Sequence, residues 1–139
     1  MAANSRFAVG VHCLLGLAYL GEAGTTAETL ASSVNTNPVV VRRLLKSLEH
    51  QGLVEIRQGK GGGVRLLRSP STITLADIYA AVETDAEIFA YHEAAPNPGC
   101  LVSCKVKHLL EPIFSAASDA VRSTLAKTKL SDLLDAIQA

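Results

Sequence analysis

Between Asn37 and Arg68 the apolar pattern changes period once, and that change narrows the possible folds more than any other feature of the chain. The first half, NPVVVRRLLKSLEHQG, has helical spacing. Asn37 is a good N-cap, Pro38 suits the first helical position, and Gly52 fits the residue just beyond the last turn. Val41, Leu44, Leu45 and Leu48 form one buried stripe, which leaves Val39, Val40, Arg43 and Ser47 facing outward. The second half, LVEIRQGKGGGVRLLR, has strand spacing. Leu53–Arg57 and Val64–Arg68 read as two short strands, and QGKGGG between them, with four glycines, reads as a flexible hairpin turn.

Two further helices come before this unit. Ser5 to Leu20 has Phe7, Val11, Leu14, Leu15 and Ala18 at helical intervals, with Ser5 placed to cap it, and GEAG (Gly21–Gly24) ends it. Thr25 or Thr26 then caps a helix striped by Leu30, Ala31 and Val34, with Glu22 and Glu28 nearby. Helix, helix, turn, helix and hairpin within about 65 residues is the order of a winged helix-turn-helix. Further on, Ser71–Thr74 leads into a helix over LADIYAAVE, and Asp85–Gly99 reads as partly irregular. From Leu101 to Thr128 the pattern is helical again. Val106, Leu110, Ile113, Ala117, Ala120 and Thr124 follow alternating steps of four and three, as in a coiled-coil seam. Pro112 predicts a kink or two abutting helices near Glu111, and Leu130–Ile137 predicts a last short helix. The expected fold class is mainly α (α+β), with a winged helix-turn-helix DNA-binding domain over residues 1–83. A sensor loop and dimerisation helices, including a long C-terminal one, would occupy residues 84–139.

Charge sharpens the functional reading. The chain of 139 residues has 13 basic and 13 acidic side chains, but they are segregated. Residues 36–68 hold seven Lys and Arg against Glu49 and Glu55, whereas residues 69–99 hold five acids and no Lys or Arg. A compact basic unit of this size suits nucleic acid. No apolar run approaches the roughly 20 residues that span a bilayer, and no secretory leader is evident, so a cytoplasmic location without membrane association is expected. Aromatics are 4% and Trp is absent, so the core must be built from Leu, Val, Ile and Ala. The glycine-rich turn lacks the Lys-Ser/Thr ending of a phosphate-binding loop and precedes a strand rather than a helix. No nucleophile–base pair or paired carboxylates stand in a defined frame, so an enzyme is not expected.

In a helix-turn-helix the N-terminal end of the second helix enters the major groove. Asn37, Val39, Val40, Arg42, Arg43 and Lys46 are therefore the candidate DNA-reading residues: the arginines for guanine edges or phosphates, the valines for thymine methyls. Arg57, Gln58 and Lys60 flank the hairpin turn, where a wing lies over the minor groove or backbone. The candidate dimer interface is Val106, Leu110, Ile113, Ala117 and Ala120, with small side chains that let two helices approach. A homodimer would place two reading heads on double-stranded DNA with a palindromic operator, half-sites about one turn apart.

PNPGCLVSCKVKH leaves three readings open. Cys100, Cys104 and His108, spaced C-x3-C-x3-H, stack on one helical face and could contribute to a metal site, with His92 or Glu93 completing it. Cys100 at a helix N-terminus could be oxidisable, and a Cys100–Cys104 disulfide would lie near the upper limit of Cα separation. Or both thiols simply pack at the base of the helix. Cys13, inside an apolar helix, reads as core, and His12 and His50 are assigned no role.

The stretches NSRFAVGVHCLLGLAYL, VNTNPVVVRRLLKSLEHQGLVEIRQGKGGGVRL, ITLADIYAAVE and NPGCLVSC together resemble the Rrf2 (BadM/IscR/NsrR-like) winged-helix transcriptional regulators, nearest their small YwnA-like branch. The resemblance implies a dimer with crossing long helices, and a sensor region between the acidic segment and the long helix. The expected role is a repressor, and the placement of Cys100 and Cys104 alone suggests a redox or thiol signal there that would alter the long helix or its junction. Cluster-binding members carry three cysteines in this region, whereas here there are two and His108, so no cofactor is expected and an iron–sulfur cluster is the exception to test. The effector is unspecified. The rival readings are a winged helix that binds only protein, and an effector-binding regulator whose cysteines are structural.

Overall fold

The computed structural model describes residues 5–83 and 88–139. Its elements run α1 (Arg6–Leu20), α2 (Ala27–Val34), α3 (Pro38–His50), β1 (Val54–Arg57), β2 (Gly63–Leu66), α4 (Leu75–Val82), α5 (Leu101–Leu125) and α6 (Leu130–Gln138). Single 3-10 turns at Gly21–Ala23 and Pro70–Thr72 join the pieces. Among the described residues no helix is long and apolar enough to cross a membrane.

The helix starts are set by short side chains. Thr26 Oγ1 accepts the Thr29 N–H at 3.1 Å and Asn37 Oδ1 accepts the Val39 N–H at 2.8 Å. Thr74 and Asp77 exchange bonds reciprocally in a capping box. Ser5 differs from expectation. It occupies the N-cap position, but its side chain makes no capping bond, and its contribution is a carbonyl that accepts the Val9 N–H at 2.9 Å.

The core gathers one stripe from each helix of the head. Val41, Leu44, Leu45 and Leu48 of α3 are all buried, as expected. In α1 the buried line is Gly10, Cys13, Leu14 and Leu17, whereas Val11, Leu15 and Ala18 are only half-buried. The line is displaced because α1 is central, touching α2, α3, α4, α6 and β2. Gly10 permits this crowding: a Cβ there would sit 3.1 Å from the Val82 side chain. Burial raises the Cys13 thiol to about 11, so it stays neutral and serves as a small apolar filler.

β1 and β2 form an antiparallel hairpin in the register Val54↔Leu66, Glu55↔Arg65, Ile56↔Val64, Arg57↔Gly63. Its far side is stitched to the start of α2, because Thr25 and Val64 exchange both backbone bonds at 3.0 and 2.7 Å. Gly24 stands beside that bridge with φ +68°, and a Cβ would run into the Val64 carbonyl oxygen.

Two expectations about the C-terminal part are corrected. Pro112 neither ends nor divides the long helix, since α5 runs unbroken from Leu101 to Leu125. The proline removes one N–H, and at this exposed position the freed His108 carbonyl can be met by water. The core also continues beyond the expected boundary at residue 83. Leu130 of α6 is fully buried, α6 packs on α1, and the Leu75 and Leu130 N–H groups bond to Thr128 and Ile73 carbonyls at 2.9 and 2.8 Å. α6 thus belongs with the head, not with the long helix. Residues 88–99 form neither helix nor strand, as expected, while Asp85–Glu87, the start of that segment, lie outside the described residues.

Candidate nucleic-acid interface

Because α3 turns its leucines inward, its opposite side is left to solvent. Val39 and Val40 are 49% and 40% exposed on the first turn, an unusual setting for β-branched apolar groups. Arg42, Arg43 and Lys46 are exposed beside them. The two arginines differ in their surroundings. Arg42 is ion-paired with Glu28 of α2, whereas Arg43 has no side-chain partner among the described residues. Asn37 is partly committed, because its carbonyl oxygen caps α3.

The wing presents a second cationic edge. Arg57, Gln58 and Lys60 are all exposed. Gly62 closes the turn with its N–H on the Gly59 carbonyl at 3.0 Å, and a Cβ there would strike the Arg57 carbonyl oxygen. Glu55 organises the base of the wing. It lies opposite Arg65 in the register and accepts from Arg65 Nε at 2.7 Å and Arg57 Nε at 3.1 Å. The Arg65 bond first, and the Arg57 bond second, hold its carboxyl below the usual carboxylate range. A groove of about 360 Å³ separates helix from wing, with Arg42 and Lys46 on one wall and Arg57 and Gln58 on the other. Of the expected helix and wing residues, Arg42, Lys46, Arg57 and Gln58 line this one groove. The expected site residues do not include Glu28 and Glu55, the acids that orient Arg42, Arg57 and Arg65. For Glu55 a signal exists in the sequence, since opposite charges face each other across the hairpin.

The candidate sensor residues sit elsewhere, at the start of α5. Cys100 is half-buried at the N-cap position and Cys104 is exposed one turn later; both thiols are free. Asn97, not anticipated from sequence, organises the turn. Its carbonyl accepts from Cys100 N at 3.0 Å and Cys104 Sγ at 3.4 Å, its N–H reaches Ser103 Oγ at 2.8 Å, and its side chain accepts from Gly99 N at 2.9 Å. His108 is 89% exposed and lies 3.8 Å from Glu111. Among the described residues no group of three or more His, Cys, Asp or Glu is placed to hold a metal ion, so the proposed completion by His92 or Glu93 is not supported. Two thiols one turn apart, one of them bonded to a carbonyl, do not fit the four-ligand demand of an iron–sulfur cluster.

On α5 the dimer candidates divide. Val106, Ile113 and Ala120 are exposed, while Leu110 and Ala117 are half-buried. Phe114, on the same face as Leu110 and Ala117, packs against Phe89 and Tyr91 at ring-centroid distances of 5.2 and 5.1 Å, so these two residues cover that side. The exposed apolar line is instead Val102, Val106, Leu109 and Ile113, with Leu109, 64% exposed, where Leu110 was expected.

Known proteins with the same arrangement are regulators. The family model Rrf2, described as an iron-dependent transcriptional regulator, matches residues 3–136. YwnA of Bacillus subtilis (strain 168), named as an HTH-type transcriptional regulator, is 39% identical over 132 residues, which is 95% of this chain and 96% of YwnA. A crystal structure described as that of a DNA-binding protein is similar with a TM-score of 0.74 at 34% identity, covering 94% of this chain and 99% of the other. CymR of B. subtilis, described as the global cysteine regulator, shares the fold with a TM-score of 0.68 at 24% identity over 97% of each chain. With its exposed cationic third helix, its cationic wing and its long trailing helix, the chain belongs to the Rrf2 family of winged-helix transcriptional regulators, which are DNA-binding proteins and not enzymes.

Proposed function

We propose that this protein is a cytoplasmic, homodimeric repressor that reads a palindromic operator in double-stranded DNA. α3 enters the major groove, Val39 and Val40 meet thymine methyls, and Arg42, Arg43 and Lys46 meet guanine edges and phosphates. Asn37 adds a contact at the helix start, and Arg57, Gln58 and Lys60 hold the flank. The observation that carries the reading is the pairing of two exposed cationic edges, helix and wing, across one groove. The dimer forms along α5 through Val106, Ile113 and Ala120, with Leu109 in the line and Leu110 and Ala117 at its margin. At 1.5 Å per residue the 25 residues of α5 extend about 37 Å, comparable to the spacing of half-sites one DNA turn apart.

Selection of duplexes from a randomised pool, followed by binding across a salt series, tests this. A preferred palindrome and a steep salt dependence are expected, with both abolished when Arg42 and Arg43 are changed to Glu. Transcription in vitro from a promoter carrying the selected site should fall when the protein is added. DNA binding that is absent, or indifferent to salt, would favour a module that binds only protein.

A second reading concerns control. Cys104 is exposed and its thiol shares the Asn97 carbonyl with the Cys100 N–H, so oxidation of Cys104 would remove the S–H donor and disturb the turn that starts α5. We infer a thiol-based response that needs no cofactor. Replacing both cysteines with Ser should abolish oxidant-triggered release from DNA, and unchanged release would make them structural. A small-molecule effector is a separate outcome of the same assay.

A further inference from the structure

We infer that Glu49 is a positioning residue for DNA binding, setting the angle between the reading helix and the wing; this rests on the function proposed above. Glu49 lies in the last turn of α3, where an acidic side chain meets the unfavourable end of the helix dipole. It has no ion-pair partner among the described residues. Its Oε2 instead accepts the Ile56 backbone N–H at 2.9 Å, reaching past the turn at Gln51 and Gly52 into β1.

The strand chemistry explains why this N–H is on offer. The Leu67 N–H bonds to the Leu53 carbonyl at 3.0 Å, which fixes the phase of the antiparallel ladder. Alternate residues then face the partner strand, so Glu55 and Arg57 bond across to β2 and Ile56 points its N–H away from it. The sheet has two strands, and the Thr25 bridge lies on the other side, against Val64. The outer edge of β1 is therefore open, and Glu49 occupies it. Together with the Leu53 N–H on the Leu48 carbonyl at 3.0 Å, this gives the wing two attachments to α3 instead of one. The Thr25 bridge and the buried Val54 and Val64 anchor the base of the hairpin, and the second bond on β1, three residues along from the first, limits how far Arg57 and Lys60 can shift relative to Arg43.

Charge and position predict opposite signs, which makes the role testable. Glu49 is an anion within a cationic surface, so on charge alone its removal strengthens DNA binding. If it positions the wing, removing the acceptor oxygen weakens binding. The probe is the duplex that the full-length wild-type protein selects from a randomised pool. Glu49→Gln keeps an acceptor for the Ile56 N–H and should bind at least as tightly as wild type. Glu49→Ala should bind about tenfold more weakly, with a salt slope shallower by about one for each phosphate that the wing no longer neutralises. Its hydroxyl-radical footprint should lose the flanks and keep the centre, and adding Arg57→Ala should cost little more. Glu49→Ala binding as well as Glu49→Gln, with flanks still protected, overturns this role alone. A wild-type protein that selects no duplex overturns the DNA-reading function and this role with it.

Discussion

Each helix of the head, including the nine-residue α6, contributes at least one fully buried side chain, whereas α5, with 25 residues, contributes none. The head closes its core by itself, from Cys13 and Leu14 in α1 to Leu130 in α6. Among the described residues the long helix is met by Phe89, Tyr91 and α4, and Val102, Leu109 and Ile113 stay 61–72% exposed. An exposed apolar line of this length marks an interaction surface. The contrast separates two kinds of sequence requirement. Residues in the head are needed for folding of one chain, whereas the outer line of α5 is left uncovered by the described residues of that chain.

The largest expected effect breaks that contrast at its exposed end. Leu109→Asp with Ile113→Asp should leave the far-ultraviolet spectrum and thermal transition of the head nearly unchanged. In sedimentation the protein should become monomeric, and operator affinity should fall about a hundredfold or more as two linked heads become independent. A dimer that persists would move the interface to another surface. Next comes Leu130→Ala, which should cost about 2–5 kcal/mol of unfolding free energy, read by denaturant titration. A loss below about 1 kcal/mol would mean that α6 is an appendage and that the head ends at residue 83.

How much of this is legible in the sequence depends on whether the partner is local. The α3 stripe and the hairpin are readable because every signal, from Asn37 and Pro38 to Gly52 and the glycine-rich turn, lies within a few residues of what it controls. α1 is readable as a helix, but its buried line is displaced because neighbours pack on several of its sides and a single stripe does not describe it. The sequence pattern puts α6 in the wrong body because an amphipathic helix shows that it must bury a face without showing against what. The exposed apolar line on α5 differs from the expected seam by one residue, Leu109 for Leu110, for a related reason. Part of the apolar pattern serves Phe89 and Tyr91, which lie in a segment without periodicity. In the sequence Glu49 and Glu55 count only against the local positive charge, and Glu28 only as an acid near the cap of its helix. Their roles emerge once the chain brings them to Arg42, the Ile56 N–H and Arg65.

Within the head the reading surface offers a finer comparison, between adjacent arginines. Arg43→Ala should weaken binding by about 1–3 kcal/mol and relax preference at one base pair of each half-site. Arg42→Ala should cost less, because Arg42 is already held by Glu28 and gains less on leaving solvent for DNA. Competitive binding to a set of single-base variants measures both. Equal losses would show that the Glu28 pairing has no bearing on DNA recognition.

The smallest effect concerns the wing alone and separates it from the rest of the head by pH. Glu55 is held ionised by Arg65 and then Arg57, so its folded-state pKa lies below its unfolded value. The unfolded chain therefore takes up its proton first as pH falls. The contribution is fully present above the unfolded pKa of about 4.3 and disappears as pH drops through the lower folded value. Glu55→Gln removes this titration, so its stability should decline less steeply than that of wild type below about pH 4.3, while the two curves run parallel near neutrality. The pair is half-exposed and screened by solvent, so added salt should shrink the difference further. Curves that stay parallel down to acid unfolding would mean that Arg65 and Arg57 find equivalent partners in the unfolded chain. The hairpin register, and not the carboxylate, would then orient the wing.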